Sequence, residues 1–462
     1  MPTSLARTLA ETLGPKGWYD QAEDMAPHLS DWRGKFQGRA LGVARPATVE
    51  AVAAVMRACA AAGTPVVPQG GNTGLCGAAT PDDSGRAVVL CLGRMNRIRG
   101  VDPLDNALVA EAGCVLAAVQ AAAQAAGRYF PLSLAAEGTA QIGGVLSTNA
   151  GGTAVLRYGC ARDLVLGLEV VLADGQIWNG LRTLRKDNTG YDLKQLFLGA
   201  EGTLGIITAA ALKLFPQAQQ KATALVGVPG PQESIALLRR LQNDCGDIVT
   251  GFELFSRAAL ERVLTHVPGV SDPMEQPHPW YVLVELSAGA GSGRVAEALE
   301  SSLGGGFEEG LASDAVIASS SAQALALWRL REEISEAERK EGPSIKHDVS
   351  VAVSRMADFI EAGSALLTEA FPGARLNAFG HVGDGNIHFN VLPPPGMDSD
   401  AVNRAVHDLT ASFGGSISAE HGLGQLKAAE AWRLKPALDH ALMRTLKAAL
   451  DPHNLLNPGK LL

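Results

Sequence analysis

Three glycine-rich loops constrain this chain more than any other feature. They read PVVPQGGNTGLCG (Pro65 to Gly77), EGTAQIGGVLSTNAGG (Glu137 to Gly152) and LGAEGTLGIIT (Leu198 to Thr208). Glycine admits backbone conformations in which successive N–H groups turn toward one point, so such loops make anion nests suited to a pyrophosphate. A single loop of this kind is more often a tight turn, but three within one domain are hard to explain by turns alone. The pattern is not a dinucleotide fingerprint, since no GxGxxG opens a helix here, and no GxxxxGK[ST] phosphate loop occurs.

Around these loops, from about residue 40 to 215, short β-like runs alternate with helical periodicity. After Phe215-Pro216 the glycine clusters thin out. ATALVGV, IVTGFELFS and WYVLVELSA then begin a second unit of strands and helices. One helix is expected over SAQALALWRLREEISEAERKEG, stopping at Gly342-Pro343. IKHDVSVAVS follows as a strand with Val349, Val351 and Val353 inward. The 462 residues exceed one ordinary core. The expected division is 1–216, 217–425 and a C-terminal helical segment, 426–462. A net charge of −9 argues against nucleic acid or an anionic membrane surface and points to a small-molecule substrate. No apolar run reaches the roughly 18 residues of a membrane span, so no transmembrane segment is expected. Six scattered cysteines without a CxxC pair suit a reducing cytoplasm.

A second feature is FGHVGDGNIHFNV, Phe379 to Val391, with two histidines around a glycine turn. Flanking Val382, Ile387, Phe389 and Val391 favour strands. If Asp384-Gly385 is a two-residue hairpin loop, His381 falls opposite His388, with Asn390 further along the same face. The pair suits a metal, although H-x6-H is no recognised zinc signature and water-facing histidines are the commoner outcome. ISAEHGLGQLK, Ile417 to Lys427, offers Glu420 and His421. Neighbours on a regular strand point apart, and the glycines after them allow a local turn. His381, His388 and Glu420 then make a two-imidazole, one-carboxylate set with an open position.

PQGGNTGL, GTAQIGGVLSTNAGG, RYGCARDLVLGLEVVLADG, GYDLKQLFLGAEGTLGIIT and the terminal LDPHNLLNPGK together resemble the vanillyl-alcohol oxidase type flavoproteins, in order and over essentially the whole chain. The resemblance implies an α+β fold: a two-part FAD-binding domain, an α+β cap and a C-terminal helix returning to the FAD domain. It implies that Pro68, Gly70, Gly71, Asn72, Thr73, Gly74 and Leu75 line the pyrophosphate. Gly138, Thr139, Gly143, Gly144, Ser147, Asn149 and Gly151 would run along the flavin, Gly202, Gly205 and Ile207 would close the other side, and Asn457 would join the cofactor site. Asn72 stands where covalent members often carry a flavin-linking histidine, which implies noncovalent FAD.

HVGDGNIHFNV with SAEHGLG resembles the D-2-hydroxy acid dehydrogenases of this superfamily, and LREEISEAERKEGPSIKHDVSVAV resembles their D-2-hydroxyglutarate branch. That branch implies Arg331, Ser335 and Lys346 on the substrate's distal carboxylate, with serine where the family pattern has threonine. Arg331 and Ser335 are also i,i+4 neighbours on one helix face, and arginine suits bidentate carboxylate recognition. The implied chemistry has a divalent ion on His381, His388 and Glu420, zinc first, with manganese or iron admitted by the same donors. His421 takes the hydroxyl proton, Asn390 binds the substrate carboxylate and the C2 hydride goes to FAD. The substrate would be a small D-2-hydroxy acid, D-2-hydroxyglutarate or D-malate, with D-lactate or glycolate turnover and a non-haem iron enzyme as alternatives. An electron-transferring flavoprotein or a quinone would take the electrons, and a homodimer is admitted.

Overall fold

A computed structural model of the chain describes residues 4–291 and 293–462. The chain divides into two units. The first holds the described residues up to Gly151, with Cys160–Gln217 and Glu420–Leu462, and the second holds Gly152–Gly159 with Ala218–Ala419. The return to the first unit therefore falls at Glu420 rather than after Gln425. A short excursion at 152–159, which sequence patterning does not mark, belongs to the second unit. Among the described residues no helix is long and apolar enough to cross a membrane.

The first unit carries two sheets. In one, Gly42–Ala44, Val88–Cys91 and Val66–Gln69 run parallel in that order, with Trp18–Tyr19 antiparallel at the edge. The other is antiparallel, in the order Ile98–Asp102, Ala107–Glu111, Ile206–Lys213, Val165–Val171, Ile177–Gly180. The helix Val49–Ala62 starts where the Thr48 hydroxyl accepts the Ala51 N–H, and it ends at left-handed Gly63. Its Val52, Val55, Met56 and Cys59 pack with Val66, Val88 and Leu90 of one sheet and Val171 and Ile206 of the other. The C-terminal segment closes this unit: Val66 N–H donates to Leu455 O and Asn457 N–H donates to Val66 O, both at 2.8 Å.

The second unit is one antiparallel sheet of seven strands, in the order Asp314–Ile317, Gln220–Val228, Trp280–Ala288, Val249–Ser256, Arg375–Gly380, Asn386–Leu392, Asp348–Ser350. Strand alternation sorts its residues onto two faces. Phe252, Leu254, Val282, Val284, Ile387, Phe389 and Val349 face one core with helices Pro231–Cys245, Val295–Glu308, Met356–Ala370 and Ser399–Ser412. Phe255, Tyr281, Leu283 and Phe379 face the other core with helices Arg257–His266, Ser321–Glu332 and Ile334–Glu341. Val349 and Val351 are buried as expected, but the strand there spans only Asp348–Ser350 before a 3-10 turn at Val353–Arg355.

The single helix expected over 321–342 is two helices. Glu333, at φ −78° and ψ −3°, flattens the backbone between Ser321–Glu332 and Ile334–Glu341. Ser335 consequently stands exposed while Arg331 is buried, so they do not share one helix face.

A charged network crosses the first unit's antiparallel sheet. Glu111 is fully buried and takes Arg97 at 2.8 Å and Arg99 at 3.3 Å, and Arg99 reaches on to Glu169 at 2.9 Å. Burial pushes the Glu111 carboxyl up, but Arg97, by side chain and backbone N–H, and Arg99 hold it below the usual carboxylate range. Its stabilisation is therefore present above about pH 4.3, the unfolded value, and is lost as pH falls through the depressed folded value. Replacing Arg99 by Met leaves two buried carboxylates short of a cation. Arg99 is partly exposed, so the expected loss is about 2 kcal/mol rather than the full penalty for a buried pair. Thermal unfolding followed by near-UV circular dichroism should show a Tm lower by about 4–8 °C at pH 7. The gap between variant and wild type should narrow below about pH 4; a gap unchanged by pH contradicts the assignment.

Candidate functional site

In the first unit the site is built from backbone. The N–H groups of Gly70, Gly71, Asn72, Thr73, Gly74 and Leu75 donate to no carbonyl among the described residues. Asn72 lies in the left-handed region at φ 54°, and its amide donates to Ser30 O at 2.8 Å. The three glycine loops meet where a side chain would not fit. A Cβ on Gly71 would strike the Thr139 carbonyl oxygen, and one on Gly202 would strike the Pro68 ring. Gly143 and Gly205 are as confined, against Ala112 and against Val170 with Phe197. By contrast an added Cβ at Gly74, Gly138 or Gly144 meets nothing within 4 Å. Interlocked loops, open glycines and unpaired N–H groups form a cradle that fits the phosphates and ring system of FAD.

Several predicted cofactor residues act within the protein as braces. Asn149, at φ 51°, accepts Arg162 N–H through its side chain at 2.9 Å. The Ser147 hydroxyl donates to Gly143 O at 2.7 Å, and the Ser147 carbonyl accepts Glu201 N–H at 2.8 Å. Ile207 is buried on its strand, next to a bulge. Asn457 donates to Ala78 O at 3.1 Å and Glu201 O at 2.8 Å, tying the C-terminal segment behind the first and third loops.

Glu201 was not marked by the sequence. It holds φ 49°, is nearly buried, and accepts Leu423 N–H at 2.7 Å and Gly424 N–H at 2.8 Å. Burial raises its pKa despite those two donors. It pins the segment that follows Glu420 and His421. Gly422 and Gly424, both at positive φ, supply the turn expected there. Glu420 itself lies against the end of the second glycine loop, where a Cβ on Gly151 would come 2.7 Å from its carboxylate oxygen.

In the second unit the hairpin exists with a different register. Phe379, not His381, pairs with His388, and Asn377 pairs with Asn390. The connection is five residues, 381–385, not two. The His381 carbonyl accepts both Asp384 N–H at 3.1 Å and Asn386 N–H at 3.2 Å, and Gly385 takes φ 88°. Asp384 Oδ1 accepts Asn386 N–H at 3.1 Å, a local bond that favours this longer turn. A shift of two residues preserves the face. His381, just beyond the strand end, still meets His388, with ring centroids 5.8 Å apart.

Two buried carboxylates organise the surroundings. Glu253 accepts Arg331 Nε at 2.8 Å on one oxygen and lies 2.5 Å from His381 Nδ1 on the other. Glu338 accepts from Asn390 Nδ2 at 3.0 Å, from Ser344 Oγ at 2.5 Å and from Asn377 Nδ2, and it pairs with Lys346 at 3.1 Å. Burial pushes both upward in pKa. His381 and Arg331 pull Glu253 below the usual range, and Lys346 leads the donors that pull Glu338 below it. Asn390 Oδ1 accepts His347 N–H at 3.2 Å, so both ends of its amide have partners. Asp348 lies opposite His388 and accepts from Asn386 Nδ2 at 2.9 Å.

The second unit thus gathers His381, His388, Arg331, Lys346 and Asn390 on one sheet face and leaves Ser335 exposed. Glu253 had a readable signal: it is the lone charge in the apolar strand IVTGFELFS, and a buried charge requires a partner. Glu338 had none, being one of five glutamates within ten residues of helix.

Residues 40–180 match the family described as FAD binding domain, and residues 217–461 match FAD linked oxidases, C-terminal domain. The chain is 41% identical over 445 residues to a mitochondrial D-2-hydroxyglutarate dehydrogenase of Bos taurus, covering 95% of this chain and 80% of the relative. It is 36% identical over 447 residues to a D-2-hydroxyglutarate dehydrogenase of Stutzerimonas stutzeri, covering 95% of each. In fold it is similar to p-cresol methylhydroxylase, with a TM-score of 0.75 at 16% identity over 99% of this chain and 96% of that one. Alkyldihydroxyacetonephosphate synthase gives a TM-score of 0.76 at 16% identity over 99% and 86%. Loops, sheet faces and relatives agree: the chain belongs to the FAD-dependent D-2-hydroxy acid dehydrogenases of the FAD-linked oxidase family.

Proposed function

We propose that this chain oxidises D-2-hydroxyglutarate, and D-malate as a shorter diacid, to the 2-oxo acid, with a divalent ion, zinc first, on His381, His388 and Glu420. The observation that carries the diacid reading is a pair of cationic side chains tied to the sheet face that bears the two imidazoles, Arg331 through Glu253 and Lys346 through the Glu338 that also binds Asn390. Arg331, buried, is anchored through the carboxylate that also contacts His381, and Lys346 is anchored by Glu338. A monocarboxylic acid such as D-lactate would leave both cations idle. Glu420 follows Ala419 directly, and Ala419 N–H donates to Asp348 O at 3.2 Å, so chain continuity supports including its carboxylate.

When bound, FAD supplies the hydride acceptor and the divalent ion supplies Lewis-acid polarisation of the substrate hydroxyl. The nest at residues 70–75 and the open glycines of the second loop would hold the FAD. Arg331 and Lys346 would bind the distal carboxylate, and Asn390 would orient the proximal one. His421 would take the C2 hydroxyl proton as general base. Reoxidation requires an external acceptor, for which an electron-transferring flavoprotein or a quinone has the right chemistry.

Lys346 is partly exposed and Glu338 keeps three other donors without it, so Lys346→Ala should fold. Losing one charge-assisted contact should lower kcat/KM for D-2-hydroxyglutarate by about 10- to 100-fold and leave D-lactate turnover unchanged. Preference for D-lactate, with no effect of the substitution, would instead favour the monocarboxylate reading.

Metal dependence has a separate check. Anaerobic bleaching of the flavin by D-2-hydroxyglutarate should cease after dialysis against a chelator and return with Zn2+ or Mn2+. Bleaching that survives complete metal removal excludes the ion from the reaction.

A further inference from the structure

We propose that Glu253 is a positioning residue that serves two ligand contacts at once. It fixes the His381 proton on Nδ1, which makes Nε2 the lone-pair nitrogen available to a metal, and it aims Arg331 at the distal carboxylate of the substrate. The inference deepens the metal and diacid readings above and rests on them.

The strand register sets the geometry. Leu254 pairs with Gly380 and Phe255 with Phe379, so Glu253 stands across from His381 at the end of the ladder. Its side chain is 1% exposed. An ionised carboxylate only accepts hydrogen bonds, so the nitrogen 2.5 Å from it must be a donor. That places the ring proton on Nδ1 and fixes the tautomer, as outer carboxylates do for metal-binding histidines. The other oxygen holds Arg331 Nε at 2.8 Å, and the Phe379 ring restrains the same guanidinium, 5.0 Å from ring centroid to Cζ. With Nε engaged, the Nη1 and Nη2 groups remain as the donors with which Arg331 can grip a second carboxylate. Phe379 also meets His388 in a tilted contact, at 5.0 Å between centroids, so one ring touches both the guanidinium and the second imidazole.

Glutamine at this position has one acceptor oxygen where glutamate has two. If its oxygen faces His381, its NH2 confronts the Arg331 N–H. If its oxygen faces Arg331, its NH2 donates to His381 Nδ1 and drives the ring proton to Nε2, the metal-binding nitrogen. Either arrangement damages one function, a signature that loss of packing alone would not give.

The test uses FAD-loaded protein without turnover. Zn2+ affinity is measured by competition with a chromophoric chelator, and discrimination between 2-oxoglutarate and pyruvate is measured by perturbation of the flavin spectrum. Glu253→Gln should bind Zn2+ about 10- to 100-fold more weakly or lose a similar factor of discrimination. Glu253→Asp, which keeps both acceptor oxygens, should recover part of the loss. A Gln variant that matches wild type in both measurements, or an Asp variant no better than Gln, overturns the proposal. Wild type that binds no Zn2+ overturns the metal reading itself, and with it the part assigned to His381. Should the Gln variant fail to fold, 15N histidine spectra of wild type decide: the signal lost in His381→Asn is expected to be the Nδ1–H tautomer, and an Nε2–H tautomer overturns the proposal.

Discussion

A carboxylate shut away from water persists as an ion only when donors replace the water it has lost, and the second unit is arranged around two such groups. Glu253 and Glu338 have side chains 1% and 0% exposed. Their partners come from separate stretches of chain: Arg331 from a helix end, His381 from beyond a strand, Lys346 and Ser344 from the segment after a helix, Asn377 and Asn390 from paired strands. Leaving either ion uncompensated would carry a penalty of several kcal/mol. The two carboxylates therefore fix which side chains share the sheet face, and the cations that suit a diacid are held by the same bonds that stabilise the unit.

The first unit solves the opposite problem. Its phosphate cradle needs bare backbone donors, which an ordinary fold would have satisfied internally. Interlocked glycines hold the loops close, while Asn72, Asn149, Glu201 and Asn457 all sit at positive φ. For Glu201 that conformation costs on the order of 1–2 kcal/mol. It is held there by a carboxylate that accepts two N–H groups and by a carbonyl that accepts the Asn457 amide. Side-chain amides and one carboxylate thus support the loops from behind, and the donors in front stay open.

Most of the first unit was legible because its chemistry is written in consecutive residues. A run such as PQGGNTG reads as a nest once two further glycine loops accompany it, and the return of the chain end followed from the family resemblance that LDPHNLLNPGK helps to carry. Less of the second unit was legible, because its chemistry depends on pairing across the sheet. Asp384-Gly385 looks like a two-residue turn, yet Asp384 caps Asn386 and the loop takes five residues. The break at Glu333 was hidden as well, since nothing in LREEISEA interrupts helical propensity.

An error of two residues in register did not disturb the reading of the face, because side chains alternate with a period of two. It did change what the face can do. In the shifted register Asn390 pairs with Asn377, and both amides donate to Glu338. His388 has Phe379 on one side and Asp348 on the other, and His381 moves off the strand end onto Glu253. A carboxylate arriving at Asn390 must compete with Glu338 for its amide, whereas one arriving at Arg331 meets a guanidinium anchored through Nε with its Nη donors still to offer. The same two-residue displacement that satisfies Asn390 internally thus leaves Arg331, whose Nη groups are not engaged by Glu253, as the side chain of this face with donors in reserve.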